Sequence, residues 1–347
     1  MKIEENKSLA TLTTFGIGGP GRWFVEARGE ADIVEATAWA SERAIELFVL
    51  GGGSNLLVAD AGFDGLVLRV GLLGVERSGS SQSPLYAVAA GEEWDGFVGL
   101  AVGEDSGGIE CLAGIPGTVG GTPVQNVGAY GQEVSTTIER VRAFDRVRRD
   151  FIEFTAAECE FSYRRSRFNT TERGRYIVTR VDYRLVGGAA PSLRYADLKR
   201  SFAADSDPTL AEVAAVVRRI RERKGMLLVK GDPDCCSAGS FFKNPVITEE
   251  EYKALAAGKP VPPPYFPVGV DGQGHVKLPA AWLIEQAGFS KGFVLGEAGI
   301  SSRHTLALIN RGGAKAAEIL ALRDAIVVAV KARFGICLEM EPVMLGF

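Results

Sequence analysis

The sequence is poor in histidine, with only His275 and His304 among its 347 residues. Histidine is the commonest metal ligand and the usual base of a nucleophilic triad. Two histidines therefore exclude a histidine-rich metal centre and argue against a Ser-His-Asp triad.

Cysteine is also scarce and gives no framework for cross-linking. The five cysteines are Cys111, Cys159, Cys235, Cys236 and Cys337, an odd number whose spacing matches no zinc-binding pattern. Neither a disulfide scaffold nor a metal site is indicated. We expect reduced thiols and a cytoplasmic location.

Long hydrophobic runs and an excess of positive charge are both absent. No apolar run approaches the length needed to span a bilayer, and residues 1–7 lack the apolar core of a secretory signal. The net charge of -4 gives no reason to expect a nucleic-acid partner. One basic run, residues 218–224, is interpreted as the solvent face of a helix.

Glycine, by contrast, is abundant and falls into distinct runs. Residues 47–50 form an apolar segment typical of a buried strand, and residues 51–55, GGGSN, follow it directly. A short apolar piece and a further strand around residues 66–70 come next, without helical periodicity. This order predicts a strand-loop-strand rather than a βαβ unit. Such a loop offers backbone N–H groups to an anion, although a plain connecting loop is the alternative.

A second run, residues 113–131, holds six glycines and two prolines in nineteen residues and almost no charge. A solvated loop would be more polar, and a flexible linker would lack the interleaved Ile115, Val119, Val124 and Val127. We predict that this run packs against a flat, largely apolar ligand. A purely structural cluster of turns is the alternative.

The segment 237–245, SAGSFFKNP, places a small hydroxyl, Ser240, on a turn between Gly239 and two aromatic residues. Glycine removes the Cβ that would block close approach of a ligand to the backbone, and Asn244 adds an amide. A structural turn is again the alternative. Together with the two glycine runs, the segment favours a ligand site.

The remaining pattern indicates mixed strands and helices. Strands are predicted at 141–145 and 176–181, an amphipathic helix at 209–224, and helices near 280–287 and 314–334. Loops at 187–192 and 203–208 divide a chain that is long enough for two or three domains. In a terminal strand, 336–343, Glu339 and Glu341 share one face, which is either solvated or directed into a cleft.

These runs, in this order, resemble the UDP-N-acetylenolpyruvoylglucosamine reductases, flavoenzymes of bacterial cell-wall synthesis. The resemblance covers nearly the whole chain. It is carried by residues 14–19, 51–55, 115–121, 125–131, 161–164, 237–245 and 282–288 and by Glu341.

The resemblance implies an α+β fold with an FAD-binding domain of the vanillyl-alcohol oxidase (PCMH) type and a smaller α+β substrate-binding domain. The first is expected at residues 1–203, in two subdomains of about 1–70 and 71–203, and the second at 204–347. It also implies that NADPH reduces noncovalently bound FAD, which then reduces UDP-N-acetylglucosamine enolpyruvate to UDP-N-acetylmuramate. No metal is implied, and we expect a cytoplasmic monomer whose partner is this small molecule.

By the same resemblance, Ser240 is the proton donor, and Arg164 and Glu341 stabilise the negative charge that develops on the substrate. For Arg164 the alternative is a surface charge cluster. The residues expected to bind the cofactor are Gly51, Gly52, Gly53, Ser54, Asn55, Leu56, Ile115, Pro116, Gly117, Gly120, Gly121, Thr122, Gln125, Asn126, Gly128, Tyr130 and Val178. Those expected to bind the substrate are Tyr195, Arg221, Lys224, Asn244 and Gln286, with Lys230 as a rival to Lys224.

Two other functions remain open at this point. One is an oxidase of small alcohols or hydroxy acids on the same FAD scaffold. Many such oxidases attach FAD through a histidine, which this chain lacks before His275. The other is a non-enzymatic nucleotide-binding module, which would have no need of Arg164, Ser240 and Glu341 together.

Overall fold

The computed structural model describes residues 1–203, 205–257, 262–267 and 274–347. Residue 204, where the predicted second domain begins, lies outside the described residues. Within these ranges the helices are α1 (Glu30–Glu42), α2 (Trp94–Gly103), α3 (Ala196–Lys199), α4 (Leu210–Arg223), α5 (Glu249–Ala256), α6 (Ala280–Gln286) and α7 (Ala316–Phe334).

Strands of five or more residues all end before residue 185, and the strands after it span two or three residues. The strands are β1 (Glu4–Ser8), β2 (Pro20–Ala27), β3 (Leu47–Leu50), β4 (Leu56–Val58), β5 (Phe63–Val70), β6 (Val75–Gly79), β7 (Pro84–Ala89), β8 (Ser106–Gly107), β9 (Gly128–Ala129), β10 (Gln132–Glu133), β11 (Ile138–Asp145), β12 (Asp150–Thr155), β13 (Tyr176–Arg184), β14 (Val186–Gly187), β15 (Val246–Thr248), β16 (Phe266–Pro267), β17 (His275–Lys277), β18 (Val294–Leu295), β19 (Ala298–Ile300), β20 (Leu308–Asn310) and β21 (Val343–Leu345).

The chain forms two compact units. The first comprises Met1–Ser8, Pro20–Gly53 and Phe63–Arg223, and the second comprises Leu9–Gly19, Ser54–Gly62 and Lys224–Phe347. Each unit has its own cluster of buried apolar side chains. The fold class is α+β, as predicted.

Two sheets organise the first unit. One has the strand order β1-β2-β5-β3, in which β5 runs parallel to both β2 and β3. The connection from β2 to β3 contains α1, as parallel strands require a crossover. The other sheet, β12-β11-β13-β7-β6, is antiparallel throughout. Its inward side chains include Tyr86 and Tyr183, which pack with Trp94 and Phe97 of α2.

The second unit is built around α7. This helix buries Ile319, Leu322, Ile326 and Val330 along one stripe, and it ends at Gly335, whose φ of 72° suits a left-handed C-terminal cap. Two three-stranded sheets and a parallel pair, β21 with β4, complete the unit. The pair joins the last strand of the chain to a segment nearly three hundred residues earlier.

Most predicted elements are confirmed. The strand at 47–50 coincides with β3, and the helices predicted at 209–224, 280–287 and 314–334 correspond to α4, α6 and α7. The terminal strand is shifted: within the predicted range Met340 forms an isolated bridge and Val343 begins β21, which continues to Leu345. Pro342 precedes β21 and has no N–H to donate, which explains the interruption.

The compact units do not follow the predicted boundary at residue 203. Helix α4 lies in the first unit because Val213, Val217 and Ile220 join its apolar core. The segments Leu9–Gly19 and Ser54–Gly62 lie in the second unit although they come from the N-terminal part of the chain.

Candidate active site

The Ser240 segment is anchored in the second unit by the aromatic residues that follow it. Gly239 has a φ of 74°, a conformation that favours glycine, and Phe241 and Phe242 are almost completely buried. The Phe241 N–H donates to the Leu306 carbonyl at 2.8 Å. Ser240 itself is half-buried. Ser240 therefore lies between a bend at Gly239 and two buried aromatic residues.

Glu341 lies on the chain segment that pairs with this support. The Glu341 N–H donates to the Phe241 carbonyl at 2.9 Å, and Phe242 and Met340 form an antiparallel bridge. Glu341 is half-buried. The segment that contains Glu341 thus lies beside the Ser240 segment.

Asn55 is held against the same segment of the second unit. Its side-chain amide donates to the Glu341 carbonyl at 3.3 Å, and its own carbonyl accepts from the Val343 N–H at 3.0 Å. The parallel pairing of β21 with β4 begins immediately beyond these contacts. Asn55, Ser240 and Glu341, predicted from three separate motifs, are therefore brought together.

Asn244, which is predicted to bind the substrate, also makes a hydrogen bond within the protein. Its side-chain oxygen accepts from the Ala280 N–H at 2.9 Å, which satisfies one of the free donors at the N-terminus of α6. Gln286 is exposed in the last turn of the same helix. Asn244 therefore fixes the start of the helix that carries Gln286.

The two candidate lysines lie on the loop before Ser240. Lys224 follows the last residue of α4 and is half-buried. Lys230 is exposed and lines an open cavity of about 580 Å³. The other lining residues are Thr14, Leu228, Val229, Gly231, Asp232, Pro233, Cys235 and Cys236.

In the first unit, the glycine run 113–131 is held by the chain that enters α2. The Val119 N–H donates to the Glu92 carbonyl at 2.9 Å, and the Trp94 N–H donates to the Gly117 carbonyl at 3.0 Å. Asp95, which the sequence analysis did not identify, accepts from the Gly114 N–H at 2.5 Å and forms an ion pair with Arg218. The run is therefore an ordered structure rather than a flexible linker.

Arg164 occupies the third position of a tight turn closed by two backbone hydrogen bonds between Ser162 and Arg165, each 3.0 Å long. Its φ is 57°, which is unusual for a residue other than glycine. The guanidinium donates to the Gly128 carbonyl at 2.9 Å. The Asn126 amide, which is buried, donates to the Ser162 carbonyl at 3.1 Å and to Glu133 at 2.9 Å. The glycine run thus sets the conformation of the Arg164 turn.

Tyr130, Tyr195 and Arg221 form a second cluster in the first unit. The rings of Tyr130 and Tyr195 meet edge to face with centroids 5.2 Å apart. Arg221 is buried and donates through Nε to the Gly114 carbonyl at 2.9 Å. Burial lowers the pKa of the Arg221 guanidinium, and interactions with Tyr130 and Asp95 partly offset this effect. The interpretation of residues 218–224 as a solvent face is therefore wrong for Arg221.

The glycine-rich loops of the first unit fit a flat cofactor that approaches the backbone. A Cβ at Gly52 would lie 2.6 Å from the Gly117 Cα, so these two loops touch backbone to backbone. A Cβ at Gly51 would lie 2.9 Å from the Thr118 hydroxyl oxygen. No atom lies within 4 Å of the Cβ position at Gly121, so protein packing does not require glycine there. Open space beside a rigid, bulk-free loop is what a bound flavin needs.

Other predicted cofactor residues have mainly structural contacts. Thr122 is buried, and its hydroxyl bonds to the Tyr183 hydroxyl at 2.6 Å and donates to the Val119 carbonyl. Leu56 and Val178 are buried in β4 and β13. Ile115, Pro116 and Gln125 are half-buried. The polar contacts of Thr122 are thus made within the protein.

Two kinds of site are not found among the residues that the structure describes. These residues contain no cluster of three or more side chains that could hold a metal ion. Within the same part of the chain, no helix is both long enough and apolar enough to cross a bilayer.

Comparison with known families gives two matches. Residues 22–149 match the model of an FAD binding domain, and residues 232–345 match that of the UDP-N-acetylenolpyruvoylglucosamine reductase C-terminal domain. The second match contains the Ser240 segment, α6, α7 and Glu341.

Curated proteins are similar over nearly their whole length. The UDP-N-acetylenolpyruvoylglucosamine reductase of Streptomyces coelicolor is 44% identical, with 97% of this chain and 89% of that protein covered. The enzyme of the same name from Thermobifida fusca is 44% identical, with 98% and 97% covered. The crystal structure of the Thermus caldophilus reductase has a TM-score of 0.67 at 28% identity and covers 99% of each chain.

Proposed function

The chain belongs to the UDP-N-acetylenolpyruvoylglucosamine reductase family, and we propose that Ser240, Arg164 and Glu341 are its catalytic residues. It is an FAD-containing oxidoreductase with NADPH as co-substrate. It reduces UDP-N-acetylglucosamine enolpyruvate to UDP-N-acetylmuramate for peptidoglycan synthesis. Its fold combines an FAD-binding domain of the vanillyl-alcohol oxidase type with a smaller substrate-binding domain.

The catalytic assignment follows from where charge develops on the substrate. When bound, FAD supplies a hydride to C3 of the enolpyruvyl group. NADPH is the source of that hydride. Negative charge then develops at C2 and spreads into the adjacent carboxylate, where preorganised donors stabilise it. We assign Arg164 and Glu341 to this charge. Glu341 must carry a proton to donate a hydrogen bond to an anion.

We assign to Ser240 the transfer of a proton to C2. A serine hydroxyl is a weak acid in water, but a carbanion-like enolate is a strong enough base to accept its proton. The observation that carries this assignment is the backbone pairing that joins residues 241–243 to 339–341, because it places Glu341 beside the Ser240 segment. The Gly128 carbonyl separately orients the Arg164 guanidinium.

For the substrate, we propose that Tyr195 closes over the nucleotide diphosphate and that Arg221 and Lys224 contribute positive charge. Tyr195 already packs on Tyr130, a predicted flavin neighbour, and Arg221 lies in the same cluster. We further assign Asn244 and Gln286, which are connected through α6, to substrate contacts. Lys230 remains the rival to Lys224.

For the cofactor, we propose that residues 51–56 hold the FAD pyrophosphate and that the predicted residues of 115–130, with Val178, line the flavin. The open space at Gly121 and the backbone contact between Gly52 and Gly117 support this assignment. We propose noncovalent attachment because no histidine precedes His275. Acid precipitation should accordingly leave the yellow colour in the supernatant, whereas colour that stays with the pellet would contradict noncovalent binding.

The protein acts on a small molecule, and we infer that it does so in the cytoplasm as a monomer. The negative net charge and the paucity of cysteine support this inference. Gel filtration with light scattering tests the oligomeric state, and a mass of two chains would contradict a monomer.

The experiment that tests the reaction is anaerobic. NADPH is added to the purified holoprotein until the flavin absorbance is bleached, and UDP-N-acetylglucosamine enolpyruvate is then added. We expect the yellow absorbance to return with one equivalent of product two hydrogens heavier. UDP-N-acetylglucosamine, which lacks the enolpyruvyl group, is the matched control and should leave the flavin reduced. Failure of the enolpyruvyl compound to restore the colour would contradict the proposed reaction.

A further inference from the structure

Arg303 is the centre of an ion-pair network in the second unit that the reaction does not use directly. Its guanidinium donates through Nε to Asp234 at 2.9 Å and through Nη2 to Asp232. Asp234 is buried and also accepts from the Ser302 hydroxyl at 2.7 Å and the Ser302 N–H at 3.2 Å. We call Arg303, Asp232 and Asp234 the clamp.

The two carboxylates of the clamp belong to a tight turn that precedes Ser240 in the chain. The Asp234 N–H donates to the Asp232 carboxylate at 3.0 Å, and the Cys235 N–H donates to the Asp232 carbonyl at 3.1 Å, which closes a 3₁₀ turn over Pro233–Cys235. The next residues lie against the strand that follows Arg303, since the Asn310 N–H donates to the Cys236 carbonyl at 2.9 Å. The turn and the Ser240 segment are thus attached to the same support.

The clamp also forms the surface on which the start of the loop rests. Gly225 directly follows Lys224 and has a φ of 64°. A Cβ there would lie 3.1 Å from the Asp234 Cβ and 3.2 Å from the Arg303 Nε. The backbone next to Lys224 therefore packs directly on the clamp. The clamp side chains therefore contact the start of the loop at Gly225 and form the turn at residues 232–235, five residues before Ser240.

The hydrogen bonds of the clamp involve ionised groups, and one of its carboxylates is buried. Asp234 receives three hydrogen bonds in a buried setting, and charged hydrogen bonds of this kind are costly to break singly because the remaining charge stays buried. The hydrogen bond from Arg303 lowers the pKa of Asp232, so the carboxylate remains ionised at neutral pH. A persistent ion pair can therefore fix the loop before any ligand binds.

We propose that Arg303 is a positioning residue that, through Asp232 and Asp234, places both Lys224 and Ser240 for the enolpyruvyl substrate. This inference rests on the proposed roles of Lys224 and Ser240. Arg303 is not a catalytic residue, since it acts through the carboxylates that hold the loop.

The first test compares the two half-reactions in Arg303→Ala holoprotein. We expect the KM for the enolpyruvyl substrate to rise about tenfold and the rate of flavin reoxidation by that substrate to fall about tenfold. The rate of flavin reduction by NADPH should change less than the rate of reoxidation. Arg303→Lys should recover part of the loss, because an ammonium can pair with one carboxylate but cannot bridge both in a fork. Equal losses in both half-reactions, after correction for flavin content, would overturn the proposal.

Arg311→Ala is the matched control. Arg311 is exposed, and its guanidinium donates to the Gly296 carbonyl, which is outside residues 224–240. Its KM and reoxidation rate should stay close to those of the unmodified protein. A comparable rise in KM and fall in reoxidation rate in Arg311→Ala would show that the effect is not specific to Arg303. If Arg303→Ala does not fold, Asp232→Asn removes one of the clamp's two carboxylate charges and is expected to raise the KM in the same direction; an unchanged KM in Asp232→Asn would overturn the proposal.

A double-mutant cycle tests whether Arg303 acts through Lys224. The rise in KM for Arg303→Ala combined with Lys224→Ala should be smaller than the product of the two single effects, because the clamp no longer has a lysine to place. Independent, multiplicative effects would overturn the proposed route.

Amide hydrogen exchange gives a readout that does not depend on the reaction. Exchange at residues 225–237 should accelerate in Arg303→Ala and remain unchanged in Arg311→Ala. Unchanged exchange at these residues in Arg303→Ala would overturn the claim that the clamp holds the loop. Accelerated exchange in a protein whose Ser240→Ala variant turns over normally would instead show that the assigned role of Ser240 is wrong, while the clamp stands.

Discussion

Three residues of the candidate site, none of them glycine, have backbone conformations that glycine usually adopts. Asn126, Tyr130 and Arg164 have φ values of 44°, 50° and 57°. Such conformations cost free energy and persist only where surrounding contacts impose them, commonly at functional sites. Here the contacts are visible, since Asn126 bonds to the turn that contains Arg164 and Tyr130 packs on Tyr195.

Asn126 provides the test of this strain. Asn126→Ala should lower the free energy of unfolding by about 2–4 kcal/mol, because the groups bonded to the Asn126 amide lose that partner and alanine tolerates the positive φ less well than asparagine does. Asn126→Gly loses the same hydrogen bonds but tolerates that φ, so it should be about 1 kcal/mol less destabilised. Urea unfolding of both apoproteins measures the difference. Equal stability of the two variants would contradict strain at this position.

Asp145 makes stability depend on acidic pH. Its carboxylate is buried, and hydrogen bonds from Arg175 and from the N–H groups of Arg148 and Val147 lower its pKa to about 2. The folded-state pKa is below the unfolded value, so this stability is present above about pH 4 and is lost as the pH falls toward 2. Between pH 4 and pH 2, the free energy of unfolding of the unmodified protein should fall by about 2 kcal/mol more than that of Asp145→Asn.

Asp64→Asn is the control for this measurement. Asp64 pairs with Arg22 at the surface, and its side chain is 79% exposed. The pH dependence of this variant should match that of the unmodified protein. If Asp145→Asn shows the same acid sensitivity as the unmodified protein, the buried ion pair is not responsible.

At the residue scale, the glycine-rich motifs predicted local conformation better than the pattern of charged residues predicted burial. The sequence predicted a glycine-dependent bend before Ser240, and Gly239 has a φ of 74° there. The burial of Arg221 could not be predicted, because a helical period shows that charges share a face but not which face another element covers. Arg303 and Asp234 lie 69 positions apart and form no local pattern.

At the element scale, glycines within these runs have different physical requirements. Gly52 is required by the protein, because a Cβ there would lie 2.6 Å from the Gly117 Cα. Gly121 is not, because an added methyl group would meet no protein atom. We therefore expect these positions to respond differently to the same substitution.

Gly121→Ala should leave the unfolding free energy of the apoprotein within about 0.5 kcal/mol of its original value. It should weaken FAD binding about tenfold if the flavin occupies the open space. Gly52→Ala is the comparison and should destabilise the apoprotein, because its Cβ would meet backbone that cannot move aside easily. Fluorescence titration of FAD and urea unfolding separate the two effects. Unaltered FAD affinity in Gly121→Ala would remove this glycine from the cofactor site.

Helices with clear apolar stripes were predictable, and α2 was not. It contains Gly96 and Gly99 and ends at Gly103, and glycine has a low helix propensity that obscures the periodic signal. Burial of Trp94 and Phe97 against the first-unit core stabilises it nonetheless. The parallel pairing of β21 with β4 was also beyond the sequence, since register between distant strands depends on the assembled fold.

At the scale of the whole molecule, the chain supplies each compact unit from separate stretches. Residues 9–19 and 54–62 belong with the C-terminal half, where Thr14 donates to the Ser237 carbonyl at 2.6 Å and Asn55 bonds to Glu341. Breaks in composition mark where a chain turns, but they do not show which segments later pack together. The loops at 187–192 and 203–208 are such breaks, yet α4, which follows them, packs with the first unit.

The central claim is that the Ser240 hydroxyl completes reduction of the enolpyruvyl group. Anaerobic stopped-flow absorbance of Ser240→Ala holoprotein tests it most directly, with flavin reduction by NADPH and reoxidation by the enolpyruvyl substrate recorded separately. We expect reduction to proceed, and reoxidation to slow by at least about a hundredfold, as is typical for loss of a general acid. Reoxidation of Ser240→Ala at the rate of the unmodified protein would contradict the claim.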